Sequence, residues 1–380
     1  MTDLDVTVVG GGIVGCAVAA RAATAGLSTV LLERGPHLAG GTTSRNSEVV
    51  HGGMYYPTGS LKARYCVQGR RLLRSFCAVA GVRYRECGKL IVAAAQDELP
   101  ELERLLALGM ANGVEGLRLL DAAEVCSLEP EVRALAALWS PETAIMDAEG
   151  CAKAFARRAQ SAGAQVLTES EVTGLEPAVG GGWLVSVNPA GLGVREGWRH
   201  TSRWVINAAG LYSDRVAELA GIDVERRGWR LSWVKGNYFG ISPRHDGRVQ
   251  RLVYPVPPRD GSSLGVHLCI DLAGRMKLGP DVELLPPRAP EDYKVDPDRA
   301  GEFYRGAHRF LPFLEPEDLS ADMCGLRPRR AAYWKDGFAD FVVSRETGDH
   351  EGLVNLVGIE SPGLTSAPAI ADEIGEWLTE

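Results

Sequence analysis

The first 33 residues carry the clearest hydrophobic pattern of the chain. An apolar, β-branched run at residues 6–9 predicts a buried strand, and small apolar residues at 16–25 predict a helix after it. A second apolar run at residues 29–32 predicts another short strand, which ends at Glu33. The pattern therefore predicts a strand–helix–strand unit of an α/β protein.

The turn between that strand and helix has the spacing G-x-G-x-x-G. Gly10 allows the tight turn, Gly12 lets backbone approach a pyrophosphate, and Gly15 lets helix and strand pack closely. Glu33 lies where a carboxylate accepts hydrogen bonds from a ribose, with Arg34 beside it. The alternative is a glycine-rich turn in another kind of α/β protein. The predicted contacts of the turn with a dinucleotide are Gly10, Gly12, Ile13, Val14 and Gly15.

Periodicity predicts further helices and strands along the chain. The predicted helices cover residues 60–80, 98–112, 122–128, 148–162, 299–310 and 369–378. The predicted strands fall at residues 82–95 (a pair), 138–146, 165–168, 171–176, 183–187, 198–209, 229–241, 252–256, 264–272, 341–344 and 353–357.

Three further stretches point to a flavin in particular. The polar residues after Glu33 offer hydroxyl and backbone donors that could follow a diphosphate and ribityl chain; they are Thr42, Thr43, Ser44, Arg45, Asn46 and Ser47. Next, His51 and Gly52 lie near two tyrosines, which suggests backbone close to a flat ring, although a structural histidine is the alternative. The strand that ends in Ala208, Ala209 and Gly210 follows a β-meander that contains Val172, and indicates the second contact of a two-part flavin site.

Composition narrows the class of protein. A length of 380 residues allows two to three domains, and 45% hydrophobic residues suffice for sizeable cores. A net charge of -8 argues against a nucleic-acid partner. Eight cysteines without a C-x-x-C pair predict reduced thiols, and the seven histidines show no metal-ligand cluster. The first strand leaves no length for a signal peptide and no apolar run reaches about 18 residues, so we expect a cytoplasmic protein without a transmembrane segment, with peripheral membrane attachment left open.

Motifs in the right order along nearly the whole chain carry a family resemblance. They are Ser44–Tyr56, Ser60–Ala63, Cys87–Ala93, Gly265–Leu268, Leu278–Asp281, Gly325–Pro328 and Ser361–Thr365. The chain resembles the FAD-dependent oxidoreductases of the D-amino-acid oxidase superfamily, and within it the L-2-hydroxyglutarate dehydrogenases and oxidases. The resemblance implies a Rossmann-like FAD-binding domain of the glutathione-reductase type and an antiparallel-sheet substrate domain. It implies that residues 1–80, 145–220 and 320–380 form the first domain, and residues 81–144 and 221–319 the second.

The resemblance also assigns roles near the flavin. We expect the flavin to be bound without a covalent bond; the alternative is a tether through Cys324, which lies close to where some sarcosine-oxidase-like relatives attach their flavin. The turn before the terminal helix is expected under the pyrimidine edge of the ring. Free N–H groups at Gly363, Leu364 and Thr365 would there stabilise negative charge on the reduced ring. The alternative is an ordinary helix start with Thr365 or Ser366 as the N-cap.

Arg327, in Gly-Leu-Arg-Pro, is expected beside the flavin, where its planar fork would hold the substrate carboxylate; a surface salt bridge is the alternative. His267 resembles the family histidine, and an imidazole with a pKa near 6.5 suits a general base at neutral pH. His51 is the second candidate for that base. The predicted chamber wall consists of Tyr55, Lys235, Tyr238 and Tyr254.

These assignments predict FAD-dependent oxidation of a 2-hydroxy acid by hydride transfer from Cα to flavin N5, with L-2-hydroxyglutarate as the leading substrate and oxygen or a quinone-linked carrier as acceptor. Cys269, Arg329–Arg330 and Tyr333–Trp334 depart from the family pattern and leave room for a larger or differently charged substrate. Three alternatives stay open. They are an amine or amino-acid oxidase of the same fold, a tailoring oxidase of a secondary pathway, and a flavin-binding scaffold without activity.

Overall fold

The computed structural model describes residues 2–190, 196–257, 265–333 and 338–380. In these ranges the helices are α1 (Ile13–Thr24), α2 (Leu61–Ala80), α3 (Leu99–Ala111), α4 (Ala122–Leu128), α5 (Ala148–Ser161), α6 (Ser213–Leu219), α7 (Ala300–His308) and α8 (Gly363–Thr379). The strands of the first half are β1 (Leu4–Val9), β2 (Thr29–Leu32), β3 (Val49–Val50), β4 (Tyr84–Arg85), β5 (Lys89–Ala93), β6 (Arg118–Asp121), β7 (Ala136–Ser140), β8 (Ala144–Met146), β9 (Gln165–Leu167) and β10 (Ser170–Pro177). The strands of the second half are β11 (Trp183–Pro189), β12 (Trp198–Asn207), β13 (Leu231–Ile241), β14 (Leu252–Pro255), β15 (Leu268–Ile270), β16 (Met276–Leu278), β17 (Glu283–Leu284), β18 (Leu319–Arg330), β19 (Val342–Arg345) and β20 (Leu353–Val357).

The first sheet is parallel through its centre, in the order β20-β12-β1-β2-β9. β10 and β11 extend it as an antiparallel meander on the first part of β12. α1 packs against α5 and α8 on one face, and small residues such as Ala17 and Ala152 belong to that core. Parallel strands buried between layers carry near-continuous apolar runs, as β2 does with Thr-Val-Leu-Leu.

The second sheet is largely antiparallel, in the order β17-β13-β16-β15-β14-β5-β7-β6, with β18 also paired to β13. One side of the sheet packs on α3 and α7 through residues such as Leu105 and Phe303. A small third sheet, β3-β8-β4, contributes Val50 to the core of the first sheet and Val49 to that of the second. The predicted two-part α/β architecture, a Rossmann-like sheet plus an antiparallel sheet, is confirmed.

The elements differ from their predictions in several places, among them the following. β18 is a strand of the second sheet, so by sheet membership the boundary predicted at residue 320 falls after Arg330. The predicted strand at 264–272 is limited to β15, and residue 264 lies outside the described residues. α8 begins at Gly363 and continues through Pro368, rather than starting at residue 369. Proline removes one N–H donor near the helix start while its φ stays compatible with a helix, so the helix does not end there.

Candidate active site

A cavity of about 990 Å³ is lined by residues of both large sheets. Most of the predicted site residues line it: Gly10, Gly12, Ile13, Val14, Glu33, Arg34, Thr42, Thr43, Arg45, Asn46, Ser47, His51, Tyr55, Val172, Ala208, Ala209, Gly210, Tyr238, Tyr254, His267, Arg327, Gly363 and Leu364. Chain segments that are far apart in sequence therefore meet around one chamber. Its volume lies at the upper end of that of small-molecule and cofactor pockets.

The glycine turn at one end of this chamber is built for close backbone approach. Gly10 has a φ of +110°, and a Cβ there would lie 2.5 Å from the carbonyl oxygen of Ala208. A Cβ on Gly15 would lie 2.0 Å from the carbonyl oxygen of Gly10. Gly15 does not line the cavity, and its role is the close packing of α1 on the turn. These contacts fit the cradle of a dinucleotide cofactor, because only glycine allows the backbone to make so tight a turn at these positions.

Glu33 and Thr43 hold the rim of the cradle in place. The Glu33 carboxylate accepts hydrogen bonds from the N–H groups of Gly11 and Gly35, both at 2.7 Å. The Thr43 hydroxyl accepts from the N–H of Ile13 at 3.1 Å. A carboxylate has about four acceptor positions, so Glu33 keeps capacity for ribose hydroxyls.

The polar segment after Glu33 crosses directly over β18. Thr42 donates its hydroxyl hydrogen to the carbonyl oxygen of Leu326 at 3.1 Å. A Cβ on Gly325 would lie 2.0 Å from the carbonyl oxygen of Arg45, so glycine is required at this crossing. Ser44 does not line the cavity, and its hydroxyl donates to the carbonyl of Gly41 at 3.2 Å. The segment thereby ties the cofactor cradle to the strand that carries Arg327.

The start of α8 differs in part from its prediction. The N–H of Gly363 donates to the carbonyl oxygen of Glu360 at 2.5 Å, so it is not free. Leu364 and Thr365 lie in the first helical turn, where N–H groups have no helical carbonyl four residues earlier. Thr365 does not line the cavity: it is buried, and its hydroxyl accepts from the N–H of His51 at 3.0 Å. Because the helix already begins at Gly363 without a side-chain cap, Thr365 and Ser366 are not N-caps.

His267 has the geometry of a base with one defined tautomer. Its Nδ1 lies 2.8 Å from the carbonyl oxygen of Gly265, which can only accept, so Nδ1 carries the hydrogen. Nε2 is then the acceptor nitrogen. The imidazole stacks on Tyr254, with ring centroids 3.6 Å apart. A second contact that fixes the tautomer and the ring plane is typical of catalytic and metal-binding histidines.

Burial lowers the pKa of His267 to about 3, and the charges of Lys89 and Arg327 act in the same direction, while the hydrogen bond to Gly265 opposes them. The pKa of His267 therefore lies well below the ordinary value near 6.5 that the sequence suggested. The physical reason is that a buried imidazole facing two cations resists protonation. A bound anion would offset both cations and raise the pKa again.

His51 also lines the chamber, beside the start of α8. Its Nε2 is 3.4 Å from the Ser361 hydroxyl, and no described group forms a hydrogen bond with its buried Nδ1. Burial, followed by the charge of Lys89, lowers its pKa well below the ordinary value. Both imidazoles are therefore neutral near pH 7, but only His267 has its acceptor nitrogen defined by a carbonyl.

Arg327 enters the chamber from β18, directly opposite Val234 on β13. Its Nη2 lies 3.2 Å from the position that a Cβ of Gly236 would occupy, so the glycine gives the guanidinium room. Tyr238 shares this face, and its hydroxyl lies 2.8 Å from the Ser47 hydroxyl. The placement of Arg327 beside polar, cavity-lining groups argues against a surface salt bridge.

The prediction that Lys235 lines the chamber needs correction. Side chains alternate along a strand, so Gly236 and Tyr238 face the cavity while Lys235 faces away. Its Nζ pairs with Asp292 at 2.8 Å. Gly52 also does not line the cavity, because it packs against Met54 and Ser140.

Several site residues were not predicted. A buried ion cluster at the chamber edge joins Lys62 on α2, Glu360 before α8 and Arg329 on β18. At the nucleotide end, Glu291 pairs with Arg34 at 2.8 Å and accepts from Tyr293 at 3.0 Å. Lys62 is a charged residue at an inward position of an amphipathic helix, which is a signal that the sequence offered. The partners of these charges come from distant segments, and the sequence does not show which segments meet. Trp334, noted as a departure from the family pattern, lies outside the described residues.

The fold and chamber define a class, the flavin-dependent oxidoreductases with a two-part nucleotide site. The chain belongs to the family described as DAO, FAD dependent oxidoreductase, whose model matches residues 5–377. It is therefore an enzyme of that class, as the resemblance predicted.

Within that family, the chain is similar over nearly its full length to curated proteins of one name. The chain is 36% identical over 404 residues to L-2-hydroxyglutarate dehydrogenase, mitochondrial, of Arabidopsis thaliana, covering 98% of this chain and 82% of the relative. It is 34% identical over 425 residues to the human protein of the same name, covering 100% of this chain and 89% of the relative.

Solved structures show the same fold. L-alpha-glycerophosphate oxidase from Mycoplasma pneumoniae, with FAD bound, superposes with a TM-score of 0.86 at 28% identity over 99% of this chain and 95% of that one. Glycine oxidase from Geobacillus kaustophilus reaches a TM-score of 0.80 at 19% identity, over 100% of this chain and 95% of that one, which shows the fold alone. None of the described helices is long and apolar enough to cross a membrane.

Proposed function

We propose that this enzyme oxidises the α-carbon of a 2-hydroxy acid, with the conversion of L-2-hydroxyglutarate to 2-oxoglutarate as the leading reaction. The observation that carries the proposal is the convergence of His267 and Arg327 on the chamber that also contains the dinucleotide cradle. Curated relatives at 30–36% identity named L-2-hydroxyglutarate dehydrogenase support the choice of substrate.

Each residue has a defined part in this reaction. Arg327 holds the carboxylate next to the hydroxyl through paired N–H donors. The hydroxyl proton passes to Nε2 of His267, while its Nδ1–H continues to donate to the carbonyl oxygen of Gly265. FAD, when bound, supplies the acceptor for the two electrons that leave Cα. Tyr55, Tyr238 and Tyr254 form the proposed wall around the substrate; among them, Tyr254 holds the base by stacking.

The cofactor is proposed to bind without a covalent bond. Cys324 is fully buried and does not line the cavity, and its Sγ lies 3.8 Å from the carbonyl oxygen of Asp292. The proposed electron acceptor is oxygen or a quinone-linked carrier. Mixing the reduced enzyme with air-saturated buffer, and separately with a quinone analogue, distinguishes the two. The cytoplasmic location stays a prediction.

The test is anaerobic reduction of the enzyme-bound flavin by a panel of acids. We expect L-2-hydroxyglutarate to bleach the flavin, and L-glutamate and N-methyl amino acids to leave it oxidised. His267→Gln should slow bleaching by about 10²-fold or more, because proton removal from the hydroxyl loses its base. His308→Gln is the matched control, since Nδ1 of His308 also lies near a backbone carbonyl, that of Leu314 at 3.2 Å, outside the chamber.

Two results would contradict the proposal. Bleaching by an amine or amino acid, with His267→Gln as fast as the parent enzyme, would show an amine oxidase of the same fold. If no simple hydroxy acid or amino acid bleaches the flavin, the remaining alternatives are a tailoring oxidase and an inactive flavin-binding scaffold.

A further inference from the structure

Lys89 is a buried cation that the reaction described above does not use. It is the first residue of β5, whose other residues are apolar, and its relative exposure is 0%. None of the residues that the structure describes offers its Nζ a hydrogen bond. An ammonium without a partner is expensive to bury, so it calls for a compensating interaction.

Two aromatic rings surround this ammonium. Nζ lies 4.6 Å from the ring centroid of Tyr55 and 4.5 Å from that of Tyr254, within the range of cation–π attraction. Both tyrosines line the chamber, whereas Lys89 does not. The Tyr55 hydroxyl is also buried without a partner among the described residues. The positive charge of Lys89 and the unpaired hydroxyl of Tyr55 therefore lie close together, with the Tyr55 ring between the ammonium and the chamber.

The titratable groups near Lys89 supply no negative charge at neutral pH. Burial raises the pKa of the Cys66 thiol to about 12 and that of the Cys87 thiol to about 11, and it also raises that of Cys269. The imidazoles of His51 and His267 are neutral, because burial lowers their pKa values. In the described structure the chamber end at Lys89 is thus electropositive.

Arg327 reaches the same chamber from a different part of the second sheet. The strands between the two cations run in the order β18-β13-β16-β15-β14-β5. Lys89 and Arg327 both act on His51 and His267. The chamber therefore carries two separate cationic positions around its two imidazoles, one of them open to the ligand and one behind the tyrosines.

We infer that Lys89 is a positioning residue that selects dianionic substrates, its ammonium acting through Tyr55 and Tyr254 on the carboxylate that Arg327 does not hold. The inference rests on the proposed function, since it assigns a residue to the second carboxylate of a 2-hydroxydicarboxylic acid. The unpaired Tyr55 hydroxyl is the donor that contacts this carboxylate, and the charge behind it strengthens the attraction.

A pH dependence follows from the same arrangement. Burial lowers the pKa of Lys89 to about 7, so its charge is present below that pH and is lost above it. A bound carboxylate favours the charged form. We therefore expect the affinity for a dianion to fall as pH rises through about 7, and the affinity for a monoanion to change less.

The experiment measures ligand binding to the FAD-loaded enzyme through the change in the flavin spectrum, so it needs no turnover. The ligands are glutarate, a dianion, and pentanoate, a monoanion of equal chain length. Lys89→Met should weaken glutarate binding by about tenfold or more, leave pentanoate binding within about twofold, and abolish the pH dependence of glutarate binding. Lys89→Gln, a second neutral variant, should behave in the same way. It shows whether the effect comes from the lost charge rather than from the methionine side chain.

The matched control is Lys277→Met. Lys277 lies on β16 of the same sheet, with its Nζ 5.1 Å from the ring centroid of Tyr238, but it is only partly buried and does not line the chamber. It should bind both ligands as the parent enzyme does. An equal loss for glutarate in this control would overturn the inference, because any nearby charge would then suffice.

The inference and the proposed function fail in different ways. The role of Lys89 is overturned if the parent enzyme binds glutarate and pentanoate with equal affinity, or if both Lys89 variants bind glutarate as the parent does. Either result counts against Lys89 even if L-2-hydroxyglutarate bleaches the flavin. Absence of bleaching by every 2-hydroxy acid overturns the proposed function, while a selective loss of glutarate binding in Lys89→Met still supports the charge-selecting role.

Discussion

Replacing Glu360 by glutamine tests the buried ion cluster at the chamber edge. Lys62 Nζ lies 2.9 Å from one Glu360 oxygen, and Arg329 Nη2 lies 3.4 Å from the other. The side chains of Lys62 and Glu360 are 5% and 6% exposed, so water does not compensate either charge. The cluster joins α2, β18 and the turn before α8, three segments whose relative positions shape the chamber.

The expected loss of stability follows from this burial. Removing one partner of a buried pair costs about 3–5 kcal/mol, because the remaining charge stays buried without compensation. The unfolding entropy of about 2.1 cal/mol/K per residue amounts, over 380 residues, to about 0.8 kcal/mol/K. Dividing the first quantity by the second predicts that Glu360→Gln lowers Tm by about 4–6 °C.

The assay is calorimetric melting of the FAD-loaded protein, with Glu115→Gln as the matched control. Glu115 pairs with Arg71 at 2.6 Å, but the two side chains are 60% and 55% exposed. Such surface pairs contribute at most about 1 kcal/mol, so we expect a change of Tm of about 1 °C or less in the control. A Glu360→Gln shift no larger than that of the control would refute the reasoning.

The pH dependence gives a second check on the same variant. Burial alone would raise the pKa of Glu360, but Lys62 and Arg329 hold it below the ordinary value of 4.5. The contribution of Glu360 to stability is therefore fully present above that value and is lost as pH falls through the lower pKa of the folded state. The Tm difference between Glu360→Gln and the parent protein should stay constant from neutral pH to about pH 5 and shrink only below it. A difference that already shrinks near neutral pH would contradict an ionised Glu360 in the folded protein.

Three further outcomes are expected. Arg327→Lys should lower kcat/KM for L-2-hydroxyglutarate by about 10-fold or more, because lysine cannot form the paired N–H contacts of a guanidinium; an unchanged kcat/KM would contradict the carboxylate role. Gly15→Ala should give protein without flavin absorbance, since the new Cβ would lie 2.0 Å from the Gly10 carbonyl oxygen, whereas Gly301→Ala, with open space to 3.5 Å, should stay yellow. Acid precipitation should release the flavin into the supernatant, and a yellow pellet would show a covalent tether through Cys324 or another residue.

Local patterns were sufficient for the nucleotide end of the chamber. The spacing of Gly10, Gly12 and Gly15 predicts a tight turn between a strand and a helix, and the structure has that turn between β1 and α1. The helices with clear caps were also predictable. α2 begins after Ser60, whose hydroxyl accepts from the N–H of Ala63, and ends at Gly81 with a φ of +67°.

The substrate end depends on pairing between distant segments, and there the sequence was less informative. β18 contains Gly325 and Pro328, which are poor strand formers, so its residues were not predicted as a strand. Pairing with β13 holds them extended, and the same pairing directs Lys235 away from Arg327. Strand alternation is readable only once the strand and its register are known.

Electrostatic environment was the least predictable property of the site. The sequence shows that Lys89 precedes an apolar run, but it does not show which groups surround its side chain. The pKa of His267 departs from the ordinary value because burial and two cations from other segments act on it together. Such effects arise from the three-dimensional arrangement, which residue types in sequence do not specify.

The most direct test of the central claim is a single anaerobic turnover. The FAD-loaded enzyme is mixed with L-2-hydroxyglutarate, and the loss of flavin absorbance is compared with the 2-oxoglutarate formed. The account predicts complete bleaching with one 2-oxoglutarate produced for each flavin reduced. Flavin that stays oxidised in the presence of this acid, although dithionite reduces it, would contradict the account.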